Sequence, residues 1–210
     1  MWRALLGCTL LGATTALASG VEKAAPLVPV KAGSPITLDG KADEPFWKAA
    51  EASDTARITQ WRMMNETGDP APGKRQLLAA YDAENLYLFY EAAIDEEAGL
   101  MSVPATPEEG DCIRVEIHQV AMGIDCENNR LQLLLPYLIP LRSAVDHGDK
   151  TWRAEIAIPW EHADGLPGKG VPVPFNVVIH DSVIGSVTWA PVRHPRDLKK
   201  LGTLQLPETP

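Results

Sequence analysis

The side chains with the most chemical potential in this chain are five tryptophans beyond the first residues, a set of aspartates at turns, and five histidines. Trp47, Trp61, Trp152, Trp160 and Trp189 carry flat apolar faces that can stack on a pyranose ring while polar neighbours hold its hydroxyls. Trp47, Trp152 and Trp160 sit within apolar patterns and read as core. Trp61 and Trp189 stand among polar residues, which leaves core burial and an exposed stacking face both open.

Asp39, Asp43, Asp95, Asp111 and Asp181, with Asp82, fall at segment ends, where carboxylates and loop carbonyls can gather into an oxygen site for a hard cation such as calcium. Taken singly, each is the ordinary turn residue. His118, His147, His162, His180 and His194 show no metal-ligand spacing, and each reads as a surface or hydrogen-bonded structural residue. There is no G-x-S-x-G elbow, H-E-x-x-H pair, phosphate loop or Cys-x-x-Cys pair. Glu96-Glu97 and Glu108-Glu109 lie in loop-like sequence, and nothing selects a carboxylate pair for glycoside hydrolysis.

The elements that must position these residues are short alternating segments. In 85–95 Leu86, Leu88, Tyr90, Ala92 and Ile94 share one face, and Tyr87, Phe89 and Glu91 the other. Residues 111–118 set Ile113, Val115 and Ile117 against Arg114, Glu116 and His118. Residues 151–159 set Trp152, Ala154, Ile156 and Ile158 against Arg153, Glu155 and Ala157, and 174–183 place Phe175, Val177 and Ile179 together. Half-buried strands separated by Gly, Pro and Asp predict an all-β sandwich. Residues 130–141 (RLQLLLPYLIPL) are apolar on both faces and read as a central strand or one bent at Pro136 and Pro140. In ITLDGKADEPFW (36–47), Asp39-Gly40 predicts a tight turn and Glu44-Pro45-Phe46-Trp47 the first turn of a short helix with its aromatic pair inward.

Residues 1–18 combine Arg3, an apolar run and the small-x-small ending Ala16-Leu17-Ala18, the pattern of a cleaved signal peptide. The expected location is periplasmic or extracellular. The run is too short and interrupted to span a membrane. Residues 19–35 read as a Pro/Ala-rich leader and 36–207 as one domain. Cleavage takes away Arg3 and no acid, so the formal charge of −9 becomes −10. That charge disfavours nucleic acid and anionic membrane surfaces as partners. Cys112 and Cys126 remain. Their even number permits one disulfide in an oxidising compartment, while a hairpin pairing 111–120 with 129–138 would set Cys112 opposite a residue well beyond Cys126.

Six stretches in order carry a resemblance: ITLDGKADEPFW, AAYDAENLYLFYEAAIDEE, GDCIRVEIH, TWRAEIAIPW, FNVVIHD and VTWAPVRHPRDLKKLGTLQL. Over about 36–206 the chain resembles the family 9 carbohydrate-binding modules and their DOMON-like relatives. The resemblance implies a jelly-roll-like sandwich of two antiparallel sheets, a non-catalytic role in binding a poly- or oligosaccharide linked to carbohydrate catabolism, and calcium as a structural ion. It also implies that Trp47 is a core plug. Members that grip sugar ends use two facing tryptophans, and at those places this chain has Glu108 and Pro195. The clamp is missing or rebuilt, and Trp189, His194 and Arg196, with Trp61 and Glu108, are the ligand-binding candidates. Two other readings use the same scaffold. One is a haem b electron carrier, with Met63 or Met64 plus His118, His180 or Lys74 as axial ligands. The other is a sandwich that only mediates protein contacts.

Overall fold

The structure, a computed structural model, describes residues 24–65, 67–103, 109–118, 120–131, 140–148, 150–162, 165, 167–190 and 201–207. Its strands are β1 (Val30–Lys31), β2 (Arg57–Ile58), β3 (Arg62–Met63), β4 (Arg75–Tyr81), β5 (Asn85–Ala93), β6 (Cys112–Ile117), β7 (Val120–Asp125), β8 (Arg130–Leu131), β9 (Arg142–Gly148), β10 (Thr151–Pro159), β11 (Pro172–Asp181), β12 (Gly185–Thr188) and β13 (Gly202–Gln205). One sheet runs β1-β4-β5-β10-β9 with β2 also on β4. The other runs β3-β12-β11-β6-β7-β8 with β13 also on β11. Among the described strands every pairing is antiparallel except the parallel β1–β4 pair. The expected all-β sandwich of two antiparallel sheets is therefore present, with one short parallel edge.

The alternation in the sequence decides what faces inward. Leu86, Leu88 and Tyr90 of β5, Trp152, Ala154 and Ile156 of β10, Ile113 and Val115 of β6, and Phe175 and Val177 of β11 meet between the sheets. Each large side chain buried there contributes roughly 1.5–3 kcal/mol. The first sheet is also covered on its outer face. Tyr87, Phe89, Leu78 and Ala80 point outward and pack against Phe46, Trp47 and Ala50 of helix α1 (Pro45–Glu51), making a third layer. β4 is thus apolar on both faces, and for that reason RQLLAAY shows no period of two.

The opening stretch behaves as its residues predict. Gly40 takes φ +84°, Pro45 starts α1 where its missing N–H costs nothing, and Phe46 and Trp47 are buried. What holds this strap is Glu155, on the outer face of β10. Its Oε1 accepts from Trp47 Nε1 at 3.0 Å, and its Oε2 accepts from the Asp39 and Gly40 amides at 2.9 Å.

Several expectations change. The segment read as a leader is partly structural: β1 lies within it, and Leu27, 1% exposed, is tied to Thr203 and Gln205 by backbone bonds. The alternation test misses it because it is one residue of core among Pro and Ala. The hairpin partner of β6 is β7, which sets Cys112 opposite Asp125. Cys126 follows in sequence but turns into the core between the sheets, whereas Cys112 faces outward, so the two neighbours stay unbridged. Of 130–141, β8 is a short strand, and 132–139 lie outside the described residues. Among the described residues no helix is long and apolar enough to cross a membrane.

Candidate functional site

β12 ends with Val187 facing the core, Thr188 facing out and Trp189 turning inward again. The Trp189 indole lies over Gly202, where a Cβ would come within 2.5 Å of the ring, and tilts against Phe175 at 5.9 Å. The ring is only half-buried. Beyond it the chain crosses from the first sheet to the second between β2 and β3. The crossover buries Ile58 and Trp61 and leaves Thr59 and Gln60 exposed. Residues 24–27 form a further wall, held by Leu27 on β13 and by the Val28 amide on the Thr55 carbonyl at 2.7 Å.

These walls enclose an open cleft of about 540 Å³. It collects one indole, the guanidinium groups of Arg57 and Arg62, the Gln60 amide, the hydroxyls of Thr55 and Thr59, and the Asp54 carboxylate. Planar donors with a few acceptors beside an aromatic face suit a ligand rich in hydroxyls, and the volume falls within the range of small-molecule sites. Arg62 is steadied by donating from Nη1 to the Gly68 carbonyl at 3.2 Å.

The outer face of the second sheet holds a different group of polar residues. Arg114 and Glu116 point away from the core yet are buried, 2.9 Å apart, opposite Gly123 and Ala121, whose small size leaves room for them. Burial pushes the Glu116 carboxyl above its ordinary range, and Arg114 opposes that shift. Beside them Asn176 donates to Thr188 Oγ1 at 3.1 Å and accepts from the Ala190 amide at 3.0 Å. This network fixes the chain end from which Trp189 projects.

Among the described residues, Trp189 is the one ligand-binding candidate found at an open concavity. Trp61 does not offer a face: it is 4% exposed and packs edge-on to Tyr90, because the crossover between β2 and β3 carries it inward. His194, Arg196 and Glu108 lie outside the described residues. The five aspartates do not converge. Asp39 and Asp43 lie near α1, whereas Asp95, Asp111 and Asp181 line one cavity at the sandwich end. Asp39, Asp95, Asp111 and Asp181 accept from backbone amides, the turn role open to each singly, and among the described residues no group of three side chains could hold a metal. As a calcium set they do not fit. Met63 pairs with Val187 and faces the core, whereas His180 faces the opposite side of the same sheet, so these two cannot share a haem iron.

Arg57, Gln60 and Arg62 were not anticipated from sequence. They flank Ile58 and Trp61, which stand three residues apart and match no strand period, so the run assigns no face.

The fold is that of the family 9 carbohydrate-binding modules. A family 9 module from Caldicellulosiruptor kristjanssonii in complex with cellotriose matches with a TM-score of 0.65 at 14% identity, covering 87% of this chain and 94% of that one. A family 9 module from the same organism in complex with glucose matches with a TM-score of 0.59 at 15% identity, covering 85% and 94%. No protein-family model and no curated protein matches the sequence.

Proposed function

We propose that this chain is an exported, non-catalytic carbohydrate-binding module for a poly- or oligosaccharide, serving carbohydrate catabolism, with its ligand in the Trp189 cleft. The observation that carries the reading is the half-buried Trp189 ring, seated on Gly202 beside Arg57, Gln60 and Arg62. The shared fold supports it, since the two neighbours hold cellotriose and glucose. One indole in place of a facing pair gives a platform, on which a ring of a sugar chain can lie without its end being enclosed. The ligand class is therefore the internal stretch of a sugar chain, gripped on one face by aromatic contact and fixed by guanidinium and amide donors.

Intrinsic fluorescence and calorimetry of the domain with glucose, cellotriose and longer soluble glucans test this. Saturable binding that is lost in Trp189→Ala and weakened several-fold in Gln60→Ala, an exposed residue outside the core, is the expected result. Absence of saturation with every mono-, oligo- and polysaccharide tried, or unchanged binding in both variants, would sink the proposal.

A further inference from the structure

At the end of the sandwich where β4 begins and β11 finishes, a second cavity of about 300 Å³ lies between the sheets, sharing no lining residue with the Trp189 cleft. Its walls are mainly apolar: Ile94, Leu100, Ile179 and Ile184, with Tyr90 and Trp152 packed edge to face at 5.3 Å.

Arg75 is set into this apolar space by the register of β4. Leu77, Ala79 and Tyr81 face the core, and Arg75, two residues before Leu77, shares their side. Its side chain is only 6% exposed. Nη2 donates to the Pro72 carbonyl at 3.1 Å and faces Asp181 Oδ2 at 3.4 Å. Nε and Nη1 are buried with no hydrogen-bond partner, and so is Nε1 of Trp152. The buried, unpartnered polar atoms at this cavity are therefore all N–H donors, each costly to leave unpaired.

The acids around the cavity do not answer them. Asp111 Oδ2 accepts from the Met101 amide at 2.7 Å and from Ser182 Oγ at 2.8 Å, and its Oδ1 accepts from the Ser182 amide at 3.1 Å. Asp181 Oδ1 accepts from the Val183 and Ile184 amides at 3.0 and 3.1 Å, and Asp95 Oδ1 from those of Glu97 and Ala98 at 2.9 and 3.0 Å. Three carboxylates against one guanidinium nevertheless leave the surroundings negative. The carboxylates repel an anion, and an ammonium or amidinium would set its own N–H groups against the unmet donors.

We propose that this cavity is a second ligand site, independent of the saccharide cleft, for a small uncharged molecule with an apolar body and a carbonyl oxygen at one end. The oxygen accepts from Arg75 and Trp152, and the body fills the space beside Tyr90, Ile94 and Leu100. The apolar walls, with the unmet donors carried by Arg75 and Trp152 on the two strands that flank Ala92, set the class of ligand.

Three probes of one shape and different charge separate the outcomes: benzamide, benzoate and benzamidine, added to the whole ¹⁵N-labelled chain. The Arg75 Nε–H and Trp152 Nε1–H signals report directly on the unmet donors. Benzamide is expected to shift both saturably in the millimolar range, with benzoate and benzamidine weaker. Trp152→Phe, which keeps an aromatic ring and loses the N–H, should weaken benzamide by a factor of about 2 to 10, read at Arg75. Trp189→Ala should leave it unchanged. Signals unmoved by all three probes, as a cavity holding only water would give, overturn the proposal. Preferential binding of benzamidine or benzoate overturns it equally, since the aspartates or the guanidinium charge alone would then be the recognition element.

Discussion

The indole Nε1 of Trp47 donates to Oε1 of Glu155 at 3.0 Å across 108 residues of sequence, one of three bonds by which that carboxylate locks the N-terminal strap onto β10. The other oxygen of the same carboxylate takes the Asp39 and Gly40 amides. An apolar plug and a polar latch thus meet at one residue, Trp47, whose ring also packs on Phe46 and Phe89 at 4.9 and 5.9 Å. Glu155→Gln turns an amide N–H₂ toward N–H donors and should cost about 1–3 kcal/mol. Chemical denaturation should show a lower midpoint with an unchanged slope.

The same residue makes stability depend on pH. Burial raises the Glu155 carboxyl to about 7, although the Asp39 and Gly40 amides and the Trp47 indole pull the other way. A folded value above the ordinary 4.5 means the folded state binds the proton more tightly. This contribution is complete below about 4.5 and disappears as pH rises through about 7. The protein should be more stable at pH 5 than at pH 8, by an amount bounded at about 3 kcal/mol. The difference should flatten in Glu155→Gln when both are unfolded across that range. An unchanged profile in the variant would assign the dependence to the overall negative charge instead.

Gly40 is needed on two counts. Its φ is +84°, and a Cβ there would lie 2.7 Å from the Asp146 amide nitrogen and 2.8 Å from the Val145 carbonyl carbon. Neither backbone atom can move aside without disturbing β9. Gly40→Ala should lower stability by about 2 kcal/mol or more, seen as a fall in melting temperature.

Gly202→Ala tests the platform rather than the fold. Its Cβ would press on the Trp189 ring from 2.5 Å, and the ring, backed by Phe175, can only lift. Saccharide affinity should fall about ten-fold or more, with a shift in tryptophan emission, while the melting temperature changes little.

Arg114 and Glu116 are a buried pair whose partners depend on each other. Arg114→Met alone leaves the Glu116 carboxyl buried without its cation and should cost about 3–5 kcal/mol. Arg114→Met with Glu116→Leu should recover most of that loss. A double variant no better than the single one would show that the pair is held by packing alone.

Alternating patterns were enough to predict strands at 111–118, 151–159 and 174–183, because each of those segments has a core face and a different outer face; in 85–95 only Glu91 marks the outer face, since α1 covers Tyr87 and Phe89, and the regular spacing of its large side chains is what shows the strand. β4 was not visible, since α1 covers its outer side and both of its faces are apolar. β1 and Leu27 were not visible either: a two-residue edge strand has no period to read. At the candidate site the sequence singled out Trp189 by its polar neighbours. By the same argument it proposed Trp61, which the crossover turns inward.

By itself, then, the sequence determined the class of architecture, the turn at Asp39-Gly40 and the helix that starts at Pro45, all of them set by neighbours in the chain. Tertiary structure alone decided that Glu155 is the latch for Trp47, that Cys112 and Cys126 face opposite ways, and that Arg75 enters the core with donors unmet. The reason is physical. Local preferences extend over a few residues, whereas the energy of a buried polar group depends on what another strand, often a hundred residues away, places within 3 Å of it.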